Sequence, residues 1–194
     1  MVEWRSTLED LSEEQRRLLL GSTLSQRFTE WSLTWSHPAF VAAFYGFLAS
    51  LAMVLPFGYR NNWEPEMWSS ELIIWASTSC LVMAIIGHFS FLVNKVLARH
   101  PIAPPRVLIF VTPFIGLALI VATWMDIVAV VPELFSMILI LCPGLIYVHL
   151  SWAPRYRLLC MLEKGENPFS PLGEAMAISS QEKELEDAVN SLVD

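Results

Sequence analysis

Two histidines lie in the apolar part of the sequence, and they are the side chains best suited to hold a cofactor. His88 is in the second of four apolar segments and His149 is in the fourth, at similar distances from the same end of each segment. Imidazole nitrogens ligate haem iron, so a pair at matched depth is compatible with a small membrane haem or redox protein. The same rings could instead hydrogen-bond to nearby hydroxyl groups, such as those of Ser90 or Tyr147. We favour that structural role and expect no cofactor, with haem on His88 and His149 as the alternative.

Three carboxylates fall at the other end of the apolar segments. Glu71 lies near the start of the second segment, while Asp126 and Glu133 flank the short loop between the third and the fourth. If they met, mutual repulsion would raise the proton affinity of one of them, and the group could bind a cation or respond to pH. The alternative is a solvated loop that keeps the hairpin tips out of lipid, and we favour it.

The remaining reactive side chains form no catalytic pattern. Cys80, Cys142 and Cys160 have no paired spacing and no neighbouring histidine, which predicts reduced thiols and neither a disulfide framework nor a metal site. A membrane enzyme or transporter would need charges within the apolar segments, and the middle of each segment carries none. The sequence therefore predicts a protein that is not an enzyme and binds no metal.

Four apolar segments must position these side chains: Pro38–Phe57, Trp68–Val93, Val107–Met125 and Pro132–Trp152. Each has about the length that a helix needs to cross the hydrocarbon of a bilayer. The composition agrees, since 55% of the 194 residues are hydrophobic and 16% are charged. The predicted fold is all-α: a four-transmembrane-helix integral membrane protein whose partner is the lipid bilayer. Its regions are a cytoplasmic N-terminal segment (1–36), the transmembrane domain (37–155) and an acidic cytoplasmic tail (156–194).

The distribution of positive charge predicts the orientation of these segments. Lysine and arginine number four before the first segment, then one, three and zero in the successive loops, and four after the fourth segment. Eleven of the twelve thus fall on the side that both termini share. The positive-inside rule then places both termini in the cytoplasm, in a multi-pass protein of the cell inner membrane. The net charge of −7 and the lack of clustered basic residues argue against nucleic-acid binding.

Residue patterns typical of helices also occur before the first apolar segment. Ser12 and Gln15 fit a capping box, and the run that follows ends at Gly21, so the sequence predicts a short helix between them. A second helix is predicted over Gln26–Trp35, where the spacing of Phe28, Trp31 and Trp35 places three aromatic rings on one face. We interpret it as a helix lying in the membrane interface.

The acidic tail carries a similar pattern. Ser179 and Glu182 fit a second capping box, and a row of four apolar residues follows at helical spacing: Leu185, Ala188, Val189 and Leu192. A helix of about fourteen residues is marginal on its own in water, so its apolar face needs something to pack on. We predict that these four residues bind a protein partner or a second copy of this chain.

One resemblance covers roughly residues 37–155. The sequence His37-Pro38-Ala39-Phe40 opens the first apolar segment and Leu55-Pro56-Phe57-Gly58 closes it, and three more segments with a basic loop follow. This arrangement resembles the N-terminal membrane domain of LytTR-type transcription regulators, which implies a sensory or regulatory membrane domain with both ends in the cytoplasm. Only 42 residues follow Trp152, and the tail is acidic, so the DNA-binding domain of that family is not expected here. No functional residue of the family maps onto this chain.

The function predicted from the sequence is that of a non-enzymatic multi-pass membrane module. Its role would be sensory or regulatory and exercised through protein–protein contacts of the cytoplasmic helices. Two alternatives stay open: the haem or redox protein described above, and a membrane immunity or transport component, since four-span proteins of those classes share only topology with this one.

Overall fold

The computed structural model describes residues 11–21, 23–128, 133–166 and 168–169. All regular secondary structure within these ranges is helical, as the sequence predicts. The helices in chain order are α1 (Glu13–Leu20), α2 (Thr23–Thr29), α3 (Pro38–Ala52), α4 (Val54–Arg60), α5 (Pro65–Leu97), α6 (Arg106–Phe110), α7 (Thr112–Trp124), α8 (Glu133–Tyr147) and α9 (Ala153–Glu163). A short π-helical segment, Val148–Trp152, joins α8 to α9.

Three helices of the described chain are long and apolar enough to cross a membrane: Pro65–Leu97, Arg106–Trp124 and Glu133–Glu163. The pair α3 and α4 makes a fourth if the bent pair is counted as one span. These helices cover the positions of the four apolar segments, and they suggest association with a membrane.

Prolines account for the breaks in these helices. α3 and α4 meet at Met53 with a bend of 40°. The nitrogen of Pro56 cannot donate to the carbonyl of Ala52, four residues earlier, and its ring crowds that carbonyl. Pro113 follows the break at Val111 between α6 and α7 in the same way. The first apolar segment is therefore bent, not straight.

α3 lies along α5, and small residues let the two backbones approach closely. A Cβ atom on Gly87 would lie 2.6 Å from the carbonyl oxygen of Pro38 and 2.7 Å from Cβ of Ala42. A Cβ on Gly46 would lie 3.0 Å from the carbonyl oxygen of Ser79. A side chain at Gly87 would clash with the backbone of α3 and one at Gly46 would be tightly crowded, and such close approach is the usual reason for small residues at membrane helix interfaces. α7 packs along α8 on the other side of the bundle.

The N-terminal segment packs on the end of the fourth helix. α1 begins with the predicted capping box, in which Gln15 N–H donates to Ser12 Oγ over 3.3 Å and Ser12 N–H donates to Gln15 Oε1 over 3.1 Å. Leu19 of α1 is fully buried in one cluster with Leu158 and Leu159 of α9. The apolar face of α1 is thus covered by the chain itself.

The helix predicted over Gln26–Trp35 is wrong in its extent. α2 ends at Thr29, and Trp35 lies in the turns that follow, with 62% of its surface exposed. At the end of the helix a side chain replaces the next helical donor, since Ser36 Oγ donates to Phe28 O over 2.6 Å.

Candidate functional site

A proline interrupts the hydrogen bonding of the fourth helix. Pro154 has no N–H to donate. In an α-helix this leaves the carbonyl oxygen of Leu150, four residues earlier, without a donor, and in a π-helix it leaves that of His149, five residues earlier, without one. The π segment lies at this point, and two other parts of the chain supply the missing donors. Ile102 N–H donates to Leu150 O over 2.8 Å, and Asn94 Nδ2 donates to His149 O over 3.2 Å.

Arg155 connects this part of the fourth helix to α1. It is only 6% exposed. Its Nε donates to Leu18 O over 3.0 Å, and its Nη1 donates to Ser151 O over 2.8 Å and to Ser151 Oγ. Leu18 belongs to the last turn of α1, where carbonyl oxygens lack a helical donor and a positive charge is favourable. Arg155 therefore caps α1 from a distant helix.

Gly21 allows this contact. Its φ of 60° is in the left-handed region that favours glycine. A Cβ atom there would also lie 2.7 Å from Cζ, Nε and Nη2 of Arg155. Any other residue at this position would meet both backbone strain and the guanidinium group.

Trp152 connects the fourth helix to the segment between α2 and α3. Its side chain is fully buried, its ring centroid lies 5.2 Å from that of Phe28, and its Nε1 donates to Ser36 O over 2.8 Å. One turn earlier, the hydroxyls of Tyr147 and Ser25 of α2 share a hydrogen bond of 2.9 Å. We call residues 149–155 the hub. The hub binds four other parts of the chain, which are α1, the segment that follows α2, helix α5, and the loop that precedes α6.

A cavity of about 430 Å³ opens beside the hub. The polar residues that line it are Thr23, Arg106, Tyr147, Ser151 and Arg155. The rest of the wall is apolar and comprises Ala103, Pro104, Ile109 and Phe110. The charge in this cavity is positive, because among the described residues no carboxylate pairs with either arginine.

The two predicted cofactor residues make separate contacts. The ring of His88 stacks on that of His37, with centroids 5.4 Å apart, whereas Nδ1 of His149 lies 2.8 Å from Oγ of Ser90. His88 and Ser90 are two residues apart on α5, which places them about 200° apart around the helix. His88 and His149 therefore lie on different sides of α5. Within the described ranges, no group of three or more His, Cys, Asp or Glu side chains is arranged to hold a metal ion.

The ring of His37 has a capping role at the start of α3. Its Nδ1 accepts from Ala39 N–H over 3.1 Å, which requires a neutral ring with a free lone pair. Burial lowers the pKa of His37, and repulsion from His88 lowers it further. Both effects favour the neutral ring that the cap needs.

Changing His88 or His149 to leucine is expected to leave the protein folded and colourless. The His149→Leu change removes the hydrogen bond to Ser90, worth about 1–2 kcal/mol at most between membrane helices. His88→Leu removes a partly exposed ring contact and should have a smaller effect. The measurement is the visible absorption spectrum of each purified variant, with its thermal stability in detergent. A stoichiometric haem band in the unchanged protein that disappears in either variant would contradict this expectation.

Two of the three predicted carboxylates meet at the opposite end of the bundle, around an arginine. Nη1 of Arg60 lies 3.2 Å from Glu71 Oε1 and 3.9 Å from Glu133 Oε1, and its guanidinium lies 4.7 Å from the ring centroid of Trp124. Asp126 is exposed, and the ion pairs of the described cluster do not include it. Arg60 already offers a positive charge to both glutamates, so the pair is not a free carboxylate site that waits for a cation. The contacts connect the ends of all four apolar segments at this end of the bundle.

The predicted partner-binding residues Leu185, Ala188, Val189 and Leu192 lie outside the described residues, and their role stays a prediction. Within the hub, sequence reasoning singled out only His149, as a candidate haem ligand, and missed the roles of Trp152, Pro154 and Arg155. Pro154 carried the available signal, because a proline soon after an apolar segment predicts free carbonyl groups one turn before it. The sequence showed Arg155 only as one of the positive charges that follow the fourth apolar segment.

Comparison with known proteins adds no relative: no family model, no curated protein and no solved structure matches this chain. The resemblance to LytTR-type membrane domains therefore stays a prediction. The fold itself defines the class, an all-helical protein whose three or four apolar helices are compatible with a multi-pass membrane protein.

Proposed function

We propose that this chain is a non-enzymatic, four-span membrane module with a sensory or regulatory role that it exercises through protein contacts. The observation that carries the proposal is the hub. At one end of the bundle, a short stretch of the fourth helix holds the N-terminal segment through Arg155 and Trp152, and its His149 carbonyl accepts from Asn94 of the second apolar helix. A change in the packing of the bundle would therefore reach the segments outside it.

The fourth helix is the element that would transmit such a change. It runs from Glu133 to Glu163, which is about 46 Å at 1.5 Å per residue, longer than a bilayer's hydrocarbon core. Glu133 belongs to the Arg60 cluster at one end, and Arg155 binds α1 near the other. π-helical turns in long helices are frequent at functional sites, and here one lies between these two ends.

The charge distribution supports an orientation with the hub in the cytoplasm of a cell inner membrane. Eleven of the twelve lysines and arginines lie on the side of the termini. The exception, Arg60, is held by Glu71 and Glu133. One exception among twelve leaves the bias of basic residues toward the side of the termini intact.

The proposed contact surface is the apolar row of the tail, since the apolar face of α1 is already covered by α9. Changing Leu185 and Val189 together to aspartate places two charges on that row. We expect membrane insertion to persist and self-association or partner recovery to fall at least tenfold, because burying an unpaired charge at an interface is costly. The measurement is cross-linking of the full chain in native membranes, followed by mass analysis of the products.

The matched control changes Asn190 and Ser191 together to aspartate, which adds the same charge beside the row. That variant should cross-link as the unchanged protein does. Equal cross-linking of all three proteins would place the contacts elsewhere and remove the tail from the proposed function.

A further inference from the structure

The cavity beside the hub contains an uncompensated buried charge. Arg155 is 6% exposed, and the described residues give it three neutral acceptors and no carboxylate. All three bonds use Nε and Nη1, so Nη2 has no acceptor among the described residues, and it is not fully enclosed by them, which leaves it accessible to a ligand. A buried cation in this state is costly unless an anion offsets it.

A second arginine faces the same space from another helix. Arg106 is the first residue of α6, is exposed, and lines the cavity together with Arg155 and the hydroxyl of Ser151. Two guanidinium groups and a hydroxyl around one space are the donors that bind a phosphate group.

An apolar groove lies next to this cavity. A second cavity, of about 330 Å³, shares Ile109, Phe110 and Tyr147 with the first and extends along α7 to Leu117. From Ile109 to Leu117 the groove follows the helix for about 12 Å. Ala49 and Ala52 of α3 form part of the opposite wall.

We propose that these two adjacent cavities bind an anionic phospholipid, with its phosphate between Arg106 and Arg155 and one acyl chain in the groove. Arg106 begins the third apolar helix, and Arg155 lies three residues beyond the fourth apolar segment, so both stand at the level where lipid headgroups lie. A free phosphate or a soluble phosphate ester would use the arginines and leave the groove unfilled. The groove therefore favours a lipid as the source of the phosphate.

The test uses the full chain, purified in a mild detergent and titrated with lipid, with bound lipid counted by native mass spectrometry. Phosphatidylglycerol is expected to bind at one site and at least tenfold more tightly than phosphatidylcholine, whose headgroup has no net charge. Glycerol 3-phosphate, which has the phosphate without the chains, should not displace it at comparable concentration. Equal binding of the two lipids would overturn the proposal, and displacement by glycerol 3-phosphate would show that the site takes a soluble phosphate instead.

Two variants with matched controls locate the site. Arg106→Gln should weaken phosphatidylglycerol binding about tenfold, because an exposed arginine's charge at the headgroup is lost without disturbing the core, whereas Arg99→Gln, in the same connection, should not. Ala52→Phe should fill the groove and weaken binding, whereas Ala118→Phe, on an exposed face of α7 outside the groove, should not. If neither Arg106→Gln nor Ala52→Phe differs from its control, the assignment is wrong; if one of them fails to fold, the other decides.

This proposal rests on the membrane placement and not on the regulatory role. The two failures are distinguishable. A chain that is released from membranes without detergent would contradict the membrane placement, whereas a membrane-embedded chain that does not distinguish the two lipids would contradict the lipid site alone.

Discussion

Replacing Trp152 with alanine is expected to lower the free energy of unfolding by about 3–5 kcal/mol, the largest effect of any single change at the hub. Its side chain is fully buried and packs against Phe28. The change would leave a cavity between the fourth helix and the N-terminal segment. It would also leave the carbonyl of Ser36 without the donor that Nε1 supplies. Thermal unfolding in a mild detergent, followed by circular dichroism, measures the effect.

Two further variants separate packing from hydrogen bonding. Trp152→Phe keeps most of the ring and loses the N–H, so we expect a smaller loss of about 1–3 kcal/mol. Trp35→Ala removes a ring that is 62% exposed, and its midpoint should stay close to that of the unchanged protein. If Trp152→Ala unfolds at the same temperature as Trp35→Ala, Trp152 does not hold the N-terminal segment.

Replacing Arg155 with leucine is expected to release α1 while the bundle stays folded. The change removes the donors to Leu18 O and to Ser151 O, and bonds from a charged group contribute about 1.5–3 kcal/mol. A loss of about 2 kcal/mol would raise the open fraction of the segment about 30-fold. Trypsin reads this directly, because α1 and α2 carry Arg16, Arg17 and Arg27, and cleavage there follows the open fraction when opening is fast.

The controls for Arg155 use the same helix and the same protease. Lys164→Leu removes an exposed charge just after α9 and should leave cleavage of the N-terminal segment unchanged. Arg155→Lys keeps the charge, but a single ammonium group cannot reach the acceptors of the guanidinium fork together, so cleavage should be intermediate. Equal cleavage rates in the Arg155→Leu variant and the unchanged protein would show that Arg155 does not fasten α1.

Patterns that repeat along a helix could be predicted from the sequence. The apolar segments, the capping box at Ser12 and the small residues between α3 and α5 each depend on neighbours within a turn or two, or on a face with one chemical character. Pro113 likewise acts on the carbonyl one turn before it. Such features depend on local geometry, so they can be recognised from one sequence alone.

The hub could not be predicted in the same way, because its partners are far apart in the chain. Arg155 meets Leu18, and Trp152 meets Ser36, across more than a hundred residues. Nothing in the spacing of a lone arginine or a lone asparagine tells which distant carbonyl it will bind. His88 and His149 illustrate the same limit: matched depth was visible in the sequence, but their positions around α5 depend on which faces pack together.

The proposed function depends most on four membrane crossings with both termini in the cytoplasm. This arrangement brings the hub, the termini and eleven of the twelve basic residues to the same side of the membrane. Reporter fusions that are active on only one side of the membrane test it directly. Fusions after Gly21, Asn62, Ala103, Val130 and Gly173 should read inside, outside, inside, outside and inside. A reporter that reads outside at Ala103 or at Gly173 would contradict the proposed topology. The hub and the N-terminal segment that it binds would then lie on opposite sides of the membrane.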